Sequence, residues 1–282
     1  MAQAIDTEIQ TYMPYLARNE RYNKEKPFGA DFPVDRCEGG QCANHIFDNQ
    51  AVTVHNMRGG EQPVLDRHGF CLVHAQTSLT AAEASNSRTP PMERYLGEIE
   101  RILYEKFPEY LRIEIMDFQV RKRVPEFPHK IGVKVEFEQP ATVPHTDFSV
   151  SGAFMRMKDI FPGQEEHYEN KSFDLINVWR VLKGPNDDWP LALCDFQSVD
   201  LDKDVTPNDC LHETGVGENW LLHANDSHRW YFMDWQEEAD LIVFRNADSE
   251  GVRARAFHAA IRNPKSVCEP RHSIEVRVVA FR

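Results

Sequence analysis

The sequence predicts a mainly β fold: a double-stranded β-helix core of the jelly-roll or cupin-like type, with flanking α-helices and extra N-terminal strands. Two observations carry that expectation. From residue 131 onward the chain breaks into short segments, "IGVKVEFE", "FDLINVWRVL", "LALCDFQSV", "NWLLHA", "RWYFMDW", "DLIVFRNAD", "VRARAFHAAI" and "SIEVRVVAF", rich in β-branched and aromatic residues and divided by turn formers. Such segments suit a pleated surface buried on at least one face. Almost no helical period separates them, and strands that follow one another in this way form antiparallel double sheets rather than βαβ units. The 282 residues suffice for one large core. A single domain is expected over 1–282, with 1–130 supplying flanking helices and strands and 131–282 the jelly-roll core.

Taken in order, residues 18–44 are rich in charge, glycine and proline and are expected to run over the surface. "AVTVHNMRG" (51–59) and "GFCLVHAQT" (69–77) read as strands, broken by "GEQPVLDRH", and are expected to form a hairpin or two neighbouring strands. Thr89, Pro90 and Pro91 then open a helix through about Phe107, because Met92, Leu96, Ile99, Leu103 and Phe107 recur at three- and four-residue intervals and draw one apolar stripe.

Composition narrows the function. The chain is 41% hydrophobic and 27% charged, without an apolar run long enough to cross a bilayer. Its first residues lack the apolar segment and cleavage site of a secretory signal, so a cytoplasmic location is expected. The six cysteines show no Cys-x-x-Cys and no zinc-finger spacing. A formal charge of -13 disfavours phosphate backbones and anionic lipid. The expected partner is a small-molecule substrate, with no nucleic acid and no membrane, for a monomer or homodimer.

"PHTDFSV" places His145 and Asp147 two positions apart. Along a strand, residues two apart share a face, so both side chains can point into the mouth of the folded-back sheet. One imidazole and one carboxylate are two of the three ligands of the facial triad of non-haem Fe(II) oxygenases. The alternative is a surface turn in which Asp147 caps the following backbone. A second histidine must come from downstream. His258, in the segment before the last, lies where a folded-back sheet returns to its first strands. His212 sits in "NDCLHETGVG", which reads as a polar loop, and is expected to be solvated, while His223 and His228 flank a turn and read as half-buried strand-end residues. His167 and Glu169 have ligand-like spacing but lie in a charged stretch that reads as a loop. Arg271 opens the final strand, with Ser273 and Arg277 on the same face. A guanidinium grips a carboxylate through parallel hydrogen bonds and a serine hydroxyl adds a donor, which suits the distal carboxylate of 2-oxoglutarate. Pairing of these arginines with acidic neighbours is the competing reading.

The blocks "HTD", "NVWRVLKGPNDDWPLALCDFQSV", "HRWYFMDWQEEADLIVFRNADS", "AFHAAIRNP" and "PRHSIEVRVVAF" resemble a family of microbial Fe(II)/2-oxoglutarate oxygenases. That family includes the cephalosporin 7α-methoxylase component, gibberellin desaturase-like proteins and fungal secondary-metabolism hydroxylases. With "DRHGFCLV" upstream, the resemblance covers roughly residues 45–282. It implies a dioxygenase in secondary-metabolite biosynthesis that uses Fe(II), 2-oxoglutarate and O2 to hydroxylate, desaturate or cyclise a small molecule. It further implies that His145, Asp147 and His258 bind iron and that Arg271 or Arg277 binds 2-oxoglutarate. Asn177, Trp179, Arg180, His228, Trp230 and Tyr231 fall in matching blocks and are candidates for the pocket wall, although packing around a strand core is the ordinary role of such aromatics. A cupin-like metalloenzyme without 2-oxoglutarate, or a non-catalytic jelly-roll binding protein, would use the same pocket.

Overall fold

In the computed structural model, which describes residues 7–32, 40–128 and 136–282, the alternating segments close into two sheets whose inner faces pack on each other. The larger sheet has nine strands: β1 (Glu8–Leu16), β2 (Phe28–Ala30), β3 (Phe47–Asn56), β6 (His145–Thr146), β8 (Leu191–Cys194), β9 (Val205–His212), β10 (Gly215–Leu222), β11 (Trp230–Phe232) and β13 (His258–Ala260). Their order is β1-β3-β11-β8-β13-β6-β10-β9-β2. Five strands form the smaller sheet: β4 (Phe70–His74), β5 (Arg112–Lys122), β7 (Phe173–Val181), β12 (Asp240–Asp248) and β14 (His272–Phe281), in the order β4-β12-β7-β14-β5. Among the described residues the helices are α1 (Leu65–His68), α2 (Pro90–Lys106), α3 (Val150–Ile160) and α4 (Leu201–Asp204).

The smaller sheet is buried on both faces, and its sequence shows why. On β14, Ile274, Val276 and Val278 point outward and pack with Ile176 and Val178 of β7 against Met92, Leu96 and Ile99 of α2. Each such side chain stabilises the fold by roughly 1.5–3 kcal/mol relative to exposure. The alternate residues, Ser273, Glu275 and Arg277, face inward with Asn177 and Trp179 of β7, so one sheet carries an apolar outer face and a polar inner one. That inner polarity is costly unless something pairs with it.

The jelly-roll expectation and the Thr89–Phe107 helix agree with this architecture. Other expectations need correction. The two strands expected as a hairpin or neighbours lie in different sheets, β3 in the larger and β4 in the smaller, because α1 and Gly69 carry the chain across between them. Gly69 has φ +86 and a Cβ there would lie 2.3 Å from the Arg255 carbonyl carbon, so the crossing needs glycine. The polar stretch 208–217 is not a loop but most of the β9–β10 hairpin. The segment 191–199 ends as a strand at Cys194 and continues as a 3-10 turn, Phe196–Ser198. Strands β1 and β5 and helix α3 lie in segments whose sequence shows no clear period. The expected strand at 131–138 falls largely outside the described residues; Glu138 makes an isolated bridge to Arg121.

A candidate metal centre between the sheets

His145 on β6 and His258 on β13 are direct cross-strand partners, and their ring centroids are 4.5 Å apart. Asp147 follows where the chain leaves β6. One ligand atom from each of the three residues lies within 4.8 Å of the others, a group that could hold a metal ion. Asp147 Oδ1 is 3.4 Å from His145 Nε2 and 3.6 Å from His258 Nε2. The other ring nitrogens turn to the backbone: His145 Nδ1 lies 2.7 Å from the Val143 carbonyl oxygen and His258 Nδ1 3.3 Å from that of Ala256. With Nδ1 donating there, each Nε2 is left to face the centre, the arrangement usual for metal-binding imidazoles.

A bulge in β12 sets the carboxylate. The β7–β12 register shifts between Arg245 and Ala247, and the extra residue, Asn246, accepts the Asp147 N–H at 2.8 Å. Bulges re-aim side chains in this way beside functional sites. Burial would push the Asp147 carboxyl up, but hydrogen bonds from His145 and His258 and the charges of His258 and Arg277 outweigh it and hold the group well below the usual carboxylate range. Burial pulls His258 down; Asp147 and Glu275 more than offset this and raise it.

Two cavities meet at this centre. The outer one, a cleft of about 880 Å3, is lined by His145, Asp147 and Arg277, by Met155 and Arg156 of α3, and by the β9–β10 hairpin including His212. The inner one is small and lined by His145, Asp147 and His258 together with Trp179, Arg271 and Glu275. Arg271 is buried, stacks at 5.4 Å from the Trp179 ring centre and donates from Nη1 to the Trp189 carbonyl at 2.6 Å. Among the described residues, its Nε and the Ser273 Oγ are buried without a hydrogen-bond partner. Orphan donors of this kind cost free energy unless a ligand takes them. Burial, together with the Arg121 charge, pulls the Arg271 guanidinium down to about 9, against the opposing pull of Asp188 and Glu275, so it stays charged at neutral pH. Arg277 faces the outer cleft instead, with Nε 2.5 Å from Asp117 and Nη1 3.6 Å from Asp147 Oδ2. The two arginines offered as alternatives by the sequence thus occupy different cavities.

The remaining candidates separate by face. Asn177 donates to Asp147 Oδ2 at 2.7 Å and Trp179 lines the inner cavity. Arg180 is not brought to the site: strand alternation turns it outward, where it donates to the Leu79 carbonyl and lies 5.0 Å over the Tyr95 ring. His228 and Trp230 lie on the outside of the larger sheet, His228 on the buried Asp204 and Trp230 donating to the Tyr15 hydroxyl. Tyr231 packs with Phe70 and His55 rather than at the metal centre. His223 is held between Thr206 and the Leu16 carbonyl, away from the ligand group. His167 ends a short 3-10 turn, Glu165–His167. His212, expected to be solvated, is exposed and hydrogen-bonded to Asp31 at the cleft rim. Sequence reasoning missed Asn246, Asp117 and Arg156; the first needs the bulge, and the other two sit on β5 and α3.

A two-sheet jelly roll with a His-Asp-His group between its sheets defines a β fold with a candidate metal site. The family model described as "Oxidoreductase/YMDC permease-like domain" matches residues 13–281, and the chain belongs to that family. Among the described residues no helix is long and apolar enough to cross a membrane. The chain is similar to aspirochlorine biosynthesis protein N of Aspergillus oryzae (29% identity, 46% of this chain and 57% of the relative). It is similar also to the Fe(II)/2-oxoglutarate-dependent dioxygenase nvfI of Aspergillus novofumigatus (29%, 51% and 54%) and the gibberellin cluster GA4 desaturase of Gibberella fujikuroi (26%, 52% and 52%). The chain thus spans little more than half the length of these curated relatives. A solved structure of the iron and alpha-ketoglutarate-dependent endoperoxidase NvfI superimposes with a TM-score of 0.78 over 98% of both chains at 23% identity, which shows a shared fold.

Proposed function

We propose that this protein is an Fe(II)/2-oxoglutarate-dependent oxygenase that oxidises a small organic molecule in secondary-metabolite biosynthesis. The observation that carries the reading is the His145, Asp147 and His258 group at the junction of two cavities, with Arg271 lining the inner one and, among the described residues, no hydrogen-bond partner for its Nε or for the Oγ of Ser273 two positions on. The donor set fits the metal: two imidazoles and one carboxylate suit ferrous iron and leave positions open. When bound, iron with 2-oxoglutarate and O2 supplies an oxidant able to take hydrogen from an unactivated C–H bond.

The residues of the chain then have distinct tasks. His145, Asp147 and His258 hold the metal, with backbone carbonyls fixing both imidazoles. Arg271 and Ser273 take the distal carboxylate of 2-oxoglutarate from the inner cavity, where a paired anion would satisfy both orphan donors and compensate the buried guanidinium. Leu191, Trp179 and Phe244 wall the centre, Phe244 at 4.7 Å from the His258 ring, and keep water from the reacting atoms. The outer cleft, of a size suited to a metabolite, receives the substrate between α3 and the β9–β10 hairpin. The test is an anaerobic titration with Fe(II) and then 2-oxoglutarate, followed by succinate release across a metabolite panel. A visible charge-transfer band and substrate-stimulated succinate are expected. Iron binding without any response to 2-oxoglutarate would replace the reading with a cupin-type metalloenzyme, and no iron binding would leave a binding protein.

A further inference from the structure

Asp147 has two oxygens in different surroundings. Oδ1 faces the histidine nitrogens, while Oδ2 is turned away from them and held by the smaller sheet. Asn177 Nδ2 donates to Oδ2 at 2.7 Å and, equally, to Glu275 Oε1 at 2.7 Å. Arg277 Nη1 lies 3.6 Å from the same oxygen. Behind it, Arg277 Nε is fixed on Asp117 Oδ1 at 2.5 Å, and Asp117 Oδ2 takes Arg156 of α3 at 2.6 Å.

Register makes this one construction. Asp117 on β5 pairs with Arg277 on β14, and Arg277 pairs with Asn177 on β7, so the three side chains form a row across adjacent strands on the inner face. The row meets the carboxylate from one sheet while the histidines come from the other. Asn177 is fully buried. An amide that serves Asp147 and Glu275 and a guanidinium that lies between Asp147 and Asp117 leave Oδ2 little freedom to rotate toward the metal.

We infer that Asn177 and Arg277 are positioning residues that clamp Asp147 by its outer oxygen, so that the carboxylate offers a single oxygen, Oδ1, to the metal. This rests on the ferrous reading of the His-Asp-His group. It assigns Arg277 a different task from Arg271: Arg277 serves the metal ligand, and the 2-oxoglutarate site does without it. It also gives Asp117 and Arg156 an indirect part, because α3 carries Arg156 at the wall of the substrate cleft.

The experiment measures Fe(II) affinity by anaerobic titration of the purified protein, then 2-oxoglutarate affinity at saturating metal from the charge-transfer band. The variants are Asn177→Ala and Arg277→Lys. Lysine keeps the positive charge but cannot reach Asp117 and Asp147 together, so it isolates geometry from electrostatics. Loss of a group that orients a metal ligand costs about 10- to 100-fold in affinity. A Kd for Fe(II) weakened by about 10-fold in Asn177→Ala and by severalfold in Arg277→Lys is therefore expected, with a shifted band maximum and 2-oxoglutarate affinity changed less than about 2-fold. Arg277→Lys is largely buried but not core, and its melting temperature without metal checks that it folds should Asn177→Ala fail to. Unchanged Fe(II) affinity in folded Arg277→Lys would overturn the inference, as would a loss confined to 2-oxoglutarate. His258→Ala separates the two levels: if the wild type binds iron and His258→Ala binds it equally well, the metal reading itself falls; if only His258→Ala loses iron, the clamp alone is wrong.

Discussion

Arg271 and Arg277 sit six positions apart on one strand face, and nothing in their spacing tells them apart; their partners do. Arg277 is satisfied by carboxylates, whereas Arg271 Nε and the Ser273 Oγ have no partner among the described residues. The chain also holds Arg271 in place at some cost. Trp189 adopts φ +47, a left-handed conformation worth about 1–2 kcal/mol of strain, while its carbonyl accepts from Arg271 Nη1 at 2.6 Å. Asp188 accepts the Arg271 backbone N–H at 2.8 Å and Arg123 at 2.6 Å. A charge-assisted hydrogen bond is worth about 1.5–3 kcal/mol, so Arg271→Gln is expected to raise the KM for 2-oxoglutarate by roughly 10- to 100-fold with Fe(II) affinity unchanged. Steady-state kinetics in 2-oxoglutarate, set beside the iron titration, check this; an unaltered KM would remove Arg271 from the cosubstrate site. The candidate metal ligands were legible because His145, Asp147 and His258 each stand in a recognisable block. Choosing between the arginines was not, since that depends on which neighbours cross from β5 and the Trp189 loop.

Strand alternation was readable where one face is buried, as on β14, whereas on β7 only the structure separates Asn177 and Trp179 on the inner side from Arg180 on the outer. It failed where a segment is short or its burial comes from an unexpected neighbour. The "ETG" turn joins β9 and β10 into a hairpin whose residues read as polar because one side faces the open cleft. Helix α3 was missed for a related reason: "VSGAFMRMKDI" spreads its apolar residues round the helix, leaving Phe154 and Met155 exposed, and its buried side is made of Gly152, Ala153 and Met157. Ser149 caps it by accepting the Gly152 N–H at 2.9 Å. At Gly152 the helix crosses β10 so closely that a Cβ would lie 1.8 Å from the Glu218 carbonyl oxygen. Gly152→Ala must push helix and strand apart, and overpacking of this sort costs about 1–3 kcal/mol. Gly97, in the middle of α2, meets nothing within 4 Å, so Gly97→Ala is expected to stabilise by about 0.5–1 kcal/mol through the unfolded chain. Thermal melts of the two variants should move in opposite directions. A Gly152→Ala protein as stable as the wild type, with an unchanged substrate KM, would show that the α3–β10 contact is not the rigid wall of the cleft described above.

The whole molecule is acidic, at -13, yet its response to acid depends on buried histidines more than on that total. His272, at the start of β14, is buried, and burial with the charges of Lys122 and Lys183 pulls its imidazole down to about 4. Burial also lowers His223 and His228, partly opposed by the Leu16 carbonyl in one and Asp204 in the other. For such a group the unfolded chain binds a proton that the folded chain refuses between the folded value and about 6.5. Stability therefore falls as pH drops through that window and is regained above it. His258 works in the opposite sense without metal, because its raised value stabilises the fold at low pH and that contribution fades as pH rises. The large depression of His272 favours a loss on acidification. The melting temperature of the metal-free protein is expected to fall between pH 7 and pH 5. His272→Phe, which fills the same space beside Phe137 without titrating, should lessen the drop by roughly 1 kcal/mol, or about 2–4 °C, after allowance for water reaching the ring. If the variant and the wild type lose the same number of degrees over that range, His272 is hydrated in the folded protein, and the inner end of β14 is more open than its packing against Phe137 indicates.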